Sequence, residues 1–490
     1  MRLNYLANAI GMILKYIGFV ILIPIIVAII YKDYISILPF LTAGIASISL
    51  GYALRKFIKN AYRIENLNDI KKSEALFIVA FSWIIFGIVS GLPFIFYGLH
   101  PVDAIFEAVS GITTTGATIL TNFDYPKTFF FWRSLTQWLG GLGIIVLFIA
   151  ILPQFAVAGR QMFFAEAPGP TEDKITPRIR NTASALWKIY AGLTFLQVIL
   201  LHAAGMPVFD AVCNSLSTLA AGGFSPNSQS LAGYNSYPMY WITTIFMFLA
   251  GASFIFQYKV LTQKKPSLLL KNEEFRTYTF MTCLMALLIA IALFFYDGYS
   301  IKEALTHAFY QVISITTSTG SASVDFAKWH FIPQALLFTV MFMGSCASSA
   351  GGGIKVTRWI LVYKSMKNSL IKILHPNAIL NVKVDNAIIP HEILNQTVVF
   401  VFFYFLCFAI GAFLITVIEQ NSTIGITSSI TALGNIGPGF GNIVGPMGSF
   451  SSMHMSTKII MTISMLVGRL EIIPFLVMFQ KDFWSFKESA

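Results

Sequence analysis

The segment Thr113-Thr114-Thr115-Gly116-Ala117 is the first of four short polar segments that decide the fold, because each stands between two long apolar runs. The other three are Ala220-Ala221-Gly222-Gly223-Phe224, Thr317-Ser318-Thr319-Gly320-Ser321 and Gly434-Asn435-Ile436-Gly437-Pro438. Their glycines, Gly116, Gly223, Gly320 and Gly437, follow one another at intervals of 107, 97 and 117 residues. Self-similarity at a nearly fixed period is the signature of a repeat architecture, so the sequence predicts four related units of roughly one hundred residues.

Polar residues at fixed offsets before each glycine strengthen the repeat. A hydroxyl residue stands six positions before it in every unit: Ser110, Ser217, Ser314 and Thr431. A polar residue stands nine positions before it: Glu107, Asn214, Gln311 and Ser428. At the thirteenth position, Asp103 and Asp210 in the first two units give way to His307 and Ile424 in the last two. Each unit is therefore predicted to comprise an outer helix, a half-helix, a re-entrant loop and an inner helix.

The composition indicates that lipid surrounds much of the chain. Of 490 residues, 56% are hydrophobic and 11% are charged, whereas soluble domains carry about 25% charged residues. Runs of the roughly 20 apolar residues that a spanning helix needs occur near 10–31, 36–54, 74–98, 130–152, 185–206, 237–260, 277–296, 331–363, 393–418 and 456–480. The sequence predicts an all-α integral membrane protein with ten transmembrane helices, in which four helix–pore loop–helix repeats surround a pseudo-fourfold pore and two extra helices precede them.

These runs divide the chain into five predicted regions. They are an N-terminal two-helix region over 1–70, repeat 1 over 71–157, repeat 2 over 158–265, repeat 3 with a broken inner helix over 266–375, and repeat 4 over 376–490. The break is expected at 344–353, where glycine, serine and alanine predominate and a regular helix is not favoured. Irregular backbone at membrane depth is tolerated only where it is buried in protein or faces water.

The basic residues predict the orientation of the chain. The net charge is +11, and the positive residues cluster in alternate loops, around Arg55, Arg178, Lys264 and Lys364. Loops rich in Lys and Arg stay on the cytoplasmic side, which also places both termini there. A nucleic-acid partner is the rival explanation, but the clusters are dispersed at the ends of apolar runs, so no such partner is expected.

The useful chemistry of the four loops lies in their main chain. None contains paired carboxylates, a His cluster or a nucleophile with a base, and the four cysteines show no CxxC spacing, so an enzyme is not indicated. A cation that loses its water shell needs a ring of oxygens, which backbone carbonyls can supply, and glycine reaches the positive φ angles this requires. The predicted cation filter comprises Thr114, Thr115, Gly116, Ala221, Gly222, Gly223, Ser318, Thr319, Gly320, Asn435, Ile436 and Gly437.

Three acidic residues precede the first two loops. Asp103, Glu107 and Asp210 are candidates for attracting cations at the outer mouth. Alternatively, Asp103 and Asp210 are N-terminal residues of the half-helices, where short acidic side chains are favoured. The sequence leaves both interpretations open.

Three motifs carry a resemblance to a known family. They are Trp132-Arg133-Ser134-Leu135-Thr136-Gln137-Trp138-Leu139-Gly140-Gly141-Leu142-Gly143, Glu166-Ala167-Pro168-Gly169-Pro170 with Thr176-Pro177-Arg178-Ile179, and Gly351-Gly352-Gly353-Ile354-Lys355-Val356-Thr357-Arg358. On these the chain resembles the TrkH/TrkG family over nearly its whole length. The related KtrB subunits usually lack the two extra N-terminal spans.

The resemblance implies a potassium-translocating subunit of the bacterial plasma (inner) membrane, with K⁺ as the permeant ion at the filter residues. It also implies a homodimer and a cytosolic TrkA-like ring that controls opening and binds the nucleotide, ATP/ADP or NAD, so that no organic cofactor is expected in this chain. The sequence departs from the family pattern in two places: Gly222-Gly223 leaves the register of the second loop open by one residue, and in the fourth loop Pro438 follows the glycine while Asn435 replaces a hydroxyl residue.

A candidate gate lies on the inner helices. Their sequences are aligned around Gly141, Gly251, Ser345 and Gly468, which places Arg469 beside Leu142, Ala252 and Cys346. A charge within a span costs roughly 2.5–3.5 kcal/mol and usually faces protein or water. Arg469 is therefore predicted to face the lumen below the filter, with Gly344, Ser345, Gly351, Gly352 and Gly353 as a movable plug beside it. A structural ion pair, with Glu471 nearby, is the alternative, and Lys458 is expected to snorkel to the interface.

Other functions remain open at this point. A secondary transporter or potassium symporter also uses discontinuous helices, but its repeats are commonly inverted, whereas these run in the same direction. A KtrB-like, sodium-dependent uptake subunit would differ chiefly in its partner. A membrane-embedded enzyme would need a cluster of His, Asp, Glu or Cys at one depth, which the sequence does not suggest.

Overall fold

The computed structural model describes residues 3–57, 72–143, 179–378, 380–385, 387–472, 475–476 and 478. The motif residues Glu166 to Pro170 and the predicted boundaries near 70 and 157 lie outside the described residues. The N-terminal region contains α1 (Leu3–Ile21), α2 (Pro24–Ile30), a 3₁₀ turn (Tyr34–Ser36) and α3 (Ile37–Phe57). A Cβ added to Gly51 would lie 2.5 Å from the Gly11 carbonyl oxygen, so α1 and α3 pack closely because small residues let their backbones approach.

The first two units repeat the order of outer helix, half-helix, loop and inner helix. The first comprises α4 (Lys72–Phe96), α5 (Pro101–Ile112) and α6 (Lys127–Gly141). The second comprises α7 (Ile179–Ala203), α8 (Val208–Leu219), a 3₁₀ turn (Ser230–Tyr234), α9 (Tyr237–Gly251), α10 (Phe254–Gln263) and α11 (Ser267–Lys271). Both half-helices have a proline at their start: Pro101 is the first residue of α5, and Pro207 directly precedes α8. The fixed φ of proline suits the beginning of a helix.

The last two units follow the same order with additions. The third comprises α12 (Glu273–Tyr296), α13 (Ile301–Thr316), a 3₁₀ turn (Phe326–Lys328), α14 (Phe331–Val340) and α15 (Val356–Leu374). The fourth comprises an antiparallel hairpin of β1 (Lys383–Val384) and β2 (Ala387–Ile388), then α16 (His391–Glu419), α17 (Ser422–Leu433), a 3₁₀ turn (Phe450–Ser452) and α18 (Met455–Arg469). Ser300 and Glu303 form a capping box at the start of α13, which satisfies the first backbone N–H groups.

Six helical segments of the described chain are long and apolar enough to cross a membrane. They are Leu6–Ile30, Tyr34–Lys56, Leu76–Phe96, Ala183–Ala203, Glu273–Tyr296 and His391–Glu419. Large apolar side chains on them are exposed, for example Phe195 at 68%, Phe295 at 73% and Phe413 at 67%. Contiguous exposed apolar surface of this kind is what a lipid-facing helix presents.

The inner helices differ from the predicted continuous spans. The predicted break after Val340 is present, but the runs 237–260 and 456–480 are interrupted too: α9 and α10 are bent by 97°, and α18 ends at Arg469, followed by Glu471 at φ 59°. In the first unit α6 ends at Gly141, with Gly143 at φ 83°. Near their ends α6 and α18 pack closely against the half-helices: an added Cβ at Gly140 or Gly468 would lie 1.8 or 2.0 Å from a carbonyl oxygen at the end of a half-helix.

Candidate functional site

Each half-helix leads directly into one of the four polar loops, and all four loops adopt the same backbone. The residue two positions before each shared glycine has positive φ: Thr114 57°, Ala221 57°, Ser318 56° and Asn435 54°. The glycines have positive φ as well: Gly116 82°, Gly223 74°, Gly320 72° and Gly437 94°. Two positive-φ residues separated by one residue turn the backbone sharply in each loop, and glycine adopts such a conformation without steric cost.

The N–H groups of the loops point back at their own half-helices. Thr115 N donates to the Ser110 carbonyl at 2.9 Å, and Thr319 N donates to the Ser314 carbonyl at 2.8 Å. Gly222 N and Ile436 N make the equivalent bonds to the carbonyls of Ser217 and Thr431, at 2.9 and 2.8 Å. The hydroxyl residues six positions before each shared glycine are therefore the residues whose carbonyls anchor the loops. In the first and third loops the Ser110 and Ser314 hydroxyls also donate, at 2.6 Å, to the carbonyl after the glycine.

The four loops meet in a closed ring. An added Cβ on Gly116 would lie 2.2 Å from the Gly222 carbonyl oxygen, and one on Gly223 would lie 2.1 Å from that of Thr319. An added Cβ on Gly320 would lie 2.0 Å from the Ile436 oxygen, and one on Gly437 would lie 2.5 Å from the Thr115 oxygen. Each glycine thus packs against the carbonyl that precedes the glycine of the next loop, in the order one, two, three, four, one. No side chain larger than hydrogen fits at these positions.

The second loop takes its register from Gly223, since Gly223, like the other shared glycines, has positive φ and closes the ring. Gly222 instead packs against Gln137 of α6. The Gln137 amide nitrogen donates to the Gly222 carbonyl at 2.5 Å, and its oxygen accepts from Phe224 N at 3.0 Å. Sequence reasoning did not single out Gln137, although a lone glutamine inside the motif 132–143 was the available signal.

The first and third loops differ from the second and fourth in how they are braced. Thr113 and Thr115 pair through their hydroxyls at 2.8 Å, and Thr317 and Thr319 do the same at 2.8 Å. In the fourth loop the Asn435 amide nitrogen donates to the Thr115 hydroxyl at 3.0 Å and to the Met465 carbonyl at 2.9 Å. These two hydrogen bonds tie loop four to loop one and to α18. Asn435 therefore braces the ring with its side chain, in place of a hydroxyl pair.

Above the ring lies a cavity of about 60 Å³ that all four glycines line. Arg133 lines it too, but this cation is buried and neutralised: its guanidinium is 2.7 Å from the Glu107 carboxylate and stacks over the Phe224 ring at 4.0 Å. Glu107 is fully buried and also accepts from Ile119 N at 2.9 Å. Glu107 was predicted to attract cations at the outer mouth, and the geometry corrects this, because a carboxylate committed to Arg133 and the loop backbone is a structural group.

The two aspartates occupy the first turns of α5 and α8, as the alternative interpretation held. The Asp103 carboxylate lies 2.7 Å from Lys458 Nζ, so Lys458, which is 6% exposed, forms an ion pair with the partly exposed Asp103. The prediction that Lys458 snorkels to the interface was therefore wrong.

The Asp210 carboxylate accepts from the Tyr234 hydroxyl at 2.8 Å. Burial, with the nearby Asp210 charge, raises the pKa of Tyr234, which keeps that phenol protonated and donating.

Arg469 lies at the end of the fourth inner helix and bridges two units. Its guanidinium donates to the Ala350 carbonyl at 2.8 Å, and to the Gly140 and Gly141 carbonyls at 2.6 and 2.9 Å. The predicted alignment was off by one in this helix: Gly468 packs on the Leu433 carbonyl as Gly140 packs on that of Ile112. Arg469 therefore occupies the position of Gly141, where a small residue stands in the first unit. Glu471 contacts Arg358.

The segment 344–353 lies beside Arg469 and is tied to the second and third units. Cys346 N and Ala350 N donate to the carbonyls of Gly251 and Ala250 at 2.9 and 3.2 Å. Gly352 N donates to the Ser318 hydroxyl of the third loop at 2.6 Å. An added Cβ on Gly351 would lie 2.6 Å from the Thr317 carbonyl oxygen, and one on Gly344 would lie 2.3 Å from that of Ile354. The segment is thus packed directly against the ring, with Ser345 bonded to Ser349 at 2.7 Å.

Two charged residues that sequence reasoning missed hold this segment. Lys355 is 3% exposed; its ammonium contacts the Gly351 carbonyl and lies 3.3 Å from the hydroxyl of Ser349. The Glu274 carboxylate accepts from Ala347 N at 2.6 Å. Among the described residues, no group of three or more His, Cys, Asp or Glu side chains could hold a metal ion. The candidate cation site of the described chain is therefore the ring of main-chain carbonyl oxygens.

Known proteins resemble the chain over its whole length. A family model described as TrkH, cation transport protein, matches residues 40–486. The Trk system potassium uptake protein TrkH of Salmonella typhimurium is 34% identical over 490 residues, covering 99% of this chain and 100% of the relative. The TrkG protein of Escherichia coli is 31% identical and covers 94% of each chain. The crystal structure of the potassium transporter TrkH from Vibrio parahaemolyticus superposes with a TM-score of 0.88 at 30% identity, covering 99% of this chain and 100% of that one.

Proposed function

This chain belongs to the TrkH family of cation transport proteins, and on that premise we propose that it takes up potassium across the bacterial plasma membrane through the ring of four loops. The ring is the observation that carries the proposal. Each shared glycine contacts the carbonyl that precedes the glycine of the neighbouring loop, and the loop N–H groups are bonded away from it. Ring carbonyls of this kind replace the water shell of a dehydrated cation, and the Gly222 carbonyl also accepts a hydrogen bond from Gln137, which fixes its position.

The electrostatics of the ring favour a cation. Four half-helices end at the loops, and the C-terminal end of a helix carries a partial negative charge of about half an elementary charge. The charged side chains nearest the outer cavity are paired, Arg133 with Glu107 and Lys458 with Asp103, so they cancel locally. In this proposal, selectivity depends on main-chain oxygens and helix dipoles. The proposed ring lies within a ten-helix protein with a pseudo-fourfold pore.

The gate in this proposal is Arg469 together with the segment 344–353. The guanidinium donates to the carbonyls of Ala350, Gly140 and Gly141, and these bonds between units support a gate in which its positive charge opposes cation passage. Opening requires these hydrogen bonds to break and the segment to move away. Because the segment is linked to α9 and α15, a force on either helix reaches it.

Partners form a further part of the proposal: a homodimer, and a cytosolic TrkA-like subunit that carries the nucleotide. Supporting this, α15 exposes an apolar stripe: Tyr363, Met366, Leu370 and Ile373 are 61–75% exposed. Basic residues flank the stripe, among them Lys364 and Lys367. An exposed apolar stripe of this kind marks a contact surface for a protein or a membrane.

The test compares two glycine substitutions in proteoliposomes loaded for rubidium uptake. In Gly320→Ser the new Cβ would collide with the Ile436 carbonyl at 2.0 Å, with φ at 72°. In Gly298→Ser, the control, φ is 69° and no atom lies within 4 Å. Both carry the backbone strain of roughly 1–2 kcal/mol for a left-handed non-glycine residue, so their difference isolates the ring. Rubidium uptake is expected to fall about tenfold or more in Gly320→Ser and to stay near wild type in Gly298→Ser; equal uptake by the two variants would refute the filter.

A further inference from the structure

A groove lies in the second unit, and none of the residues that line it belongs to the four loops. It lies between α7 and α10 and has a volume of about 700 Å³. The groove exists because α9 and α10 are bent by 97°, so α10 leaves the direction of the bundle. Its lining includes Lys188, Gly192, Leu196, Gln257, Tyr258 and Leu261.

The lining matches the two parts of a phospholipid. Gly192 and Leu196 belong to the apolar span Ala183–Ala203, and an added Cβ on Gly192 would meet nothing within 4 Å, so this part is open and suits an acyl chain. Lys188 stands near the beginning of the same span and is exposed. A lysine this close to the end of a span extends its ammonium to the interface.

The surrounding charge selects the headgroup. Lys264 and Lys265 follow α10 directly and are exposed, and both belong, with Lys188, to the basic loops that the charge rule places on the cytoplasmic side. Basic pockets between spanning helices on this side bind anionic lipid headgroups. A zwitterionic lipid also carries a phosphate, but the cation of its own headgroup offsets that charge, so it pairs less favourably with these lysines.

The groove is connected to the segment 344–353 through the bend. The Gln257 amide nitrogen, in the groove lining, donates to the Leu249 carbonyl at 2.7 Å and to that of Ala252 at 3.2 Å, which satisfies carbonyls that the bend frees. Phe254 N, at the start of α10, donates to the Ser348 carbonyl at 3.0 Å. A molecule that packs against Gln257 and α10 therefore braces the hinge to which the segment is bonded.

We propose that this groove binds an anionic phospholipid of the surrounding membrane, with its phosphate at Lys188 and an acyl chain along Gly192 and Leu196, and that occupancy favours the arrangement in which the segment 344–353 lies beneath the ring. The groove and that arrangement occur together in the structure. A ligand shifts a population toward the state that it binds better, so the lipid lowers ion flux. The binding part stands alone, whereas the flux part rests on the proposed function.

Binding is tested by native mass spectrometry of the full chain with phosphatidylglycerol or phosphatidylcholine as the probe. A basic residue near an anionic lipid contributes roughly 1 kcal/mol, or about fivefold in affinity. Lys188→Gln is expected to lose about fivefold in phosphatidylglycerol binding, while Lys383→Gln, which removes an exposed lysine of β1, keeps the wild-type level. Equal binding by all three proteins, or an equal loss in both variants, overturns the site.

A shape variant supplies a second measurement in which every charge remains. Gly192→Trp fills the groove, and Phe195→Trp places the same ring on the lipid-exposed face of α7, where Phe195 is 68% exposed. Phosphatidylglycerol binding is expected to be lost in Gly192→Trp and kept in Phe195→Trp. Retained binding in Gly192→Trp would mean that lipid adheres to the helix surface in general and would overturn the groove.

The flux part is tested with rubidium uptake into vesicles of phosphatidylcholine alone or of an equal mixture with phosphatidylglycerol. Wild type is expected to conduct less in the mixture, and Lys188→Gln is expected to conduct equally in both. If Lys188→Gln keeps the lipid dependence, the coupling to the gate is wrong while the binding result stands. Absence of uptake in every protein and lipid would instead count against the proposed function, which separates the two failures.

Discussion

At the residue scale, the ring is built from unlike loops whose differences are compensated by single side chains. The first and third loops carry paired threonine hydroxyls. The second loop has alanine and glycine at the matching positions, and Gln137 braces it from α6; the fourth loop uses the Asn435 amide. In each loop a polar side chain forms hydrogen bonds that hold the same backbone conformation. Four different sequences therefore form one geometry.

Gln137 is predicted to be a positioning residue of the filter. In Gln137→Leu the Gly222 carbonyl and Phe224 N lose their partners, at roughly 1–3 kcal/mol for each buried group left unsatisfied. Because the Gly222 carbonyl adjoins Gly116, the expected result is a lower rubidium-to-sodium permeability ratio, measured from reversal potentials. The matched control is Gln334→Leu, whose amide bonds the Ala327 and Trp329 carbonyls at 2.8 Å outside the ring. A ratio that is unchanged in Gln137→Leu, or reduced equally in both variants, would contradict this role.

Arg133 and Glu107 are predicted to contribute stability. Both side chains are at most 2% exposed, and removing one partner of a buried pair costs roughly 3–5 kcal/mol because the other charge stays buried. Arg133→Leu is therefore expected to lower the thermal unfolding midpoint strongly, and adding Glu107→Gln to recover part of the loss. The control is Lys328→Leu, since Lys328 is 83% exposed and pairs with Asp325 at 3.3 Å, where such pairs are worth about 0–1 kcal/mol. Equal midpoints for the two single variants would refute the structural role.

At the element scale, the decisive feature is that the inner helices stop or bend just below the ring. α6, α9 and α18 end at Gly141, Gly251 and Arg469, and α14 ends at Val340, short of the segment 344–353. The contacts at Gly140 and Gly468 show that α6 and α18 end packed closely against the half-helices. In the third and fourth units the segment 344–353 and Arg469 lie at these interruptions.

Arg469→Ala is expected to raise rubidium flux in vesicles that contain no cytosolic partner. Hydrogen bonds from a charged group contribute roughly 1.5–3 kcal/mol each, so losing even one shifts the closed state by about tenfold or more. The control is Arg276→Ala, which removes an exposed arginine of α12 and is expected to leave flux at the wild-type level. If partner-free flux is the same in wild type and Arg469→Ala, the gate assignment is wrong.

Sequence reasoning predicted the elements of the site well and their contacts poorly. The loops and the break at 344–353 follow from local composition, because glycine and hydroxyl residues have strong backbone preferences. The clamp by Gln137 and the ion pair of Lys458 with Asp103 depend on residues 85 and 355 positions apart. Neither periodicity nor charge spacing specifies which distant partners meet. The one-residue error at Arg469 has the same origin, since only the contacts of Gly468 and Gly140 set that alignment.

At the scale of the whole molecule, apolar side chains are exposed on the outer helices and polar side chains are buried beside the loops. The outer helices expose large apolar side chains, whereas the half-helices bury serine, threonine and glutamine residues at their loop ends. A soluble protein shows the opposite arrangement. The arrangement of this chain is predictable from composition, since low charge and long apolar runs identify lipid as the solvent. The family was confirmed as the sequence motifs implied, while the count of spans was not predictable from run length alone because the inner helices break.

The central claim is that main-chain oxygens of four unlike loops bind a dehydrated cation within one ring. The direct measurement is an anomalous difference map of the protein crystallised with rubidium as the only monovalent cation. The account predicts a peak enclosed by the four loops, among the carbonyls around Thr115, Gly222, Thr319 and Ile436, which is lost in Gly320→Ser and kept in Gly298→Ser. A map in which rubidium occupies another place and the ring stays empty at saturating rubidium would contradict it.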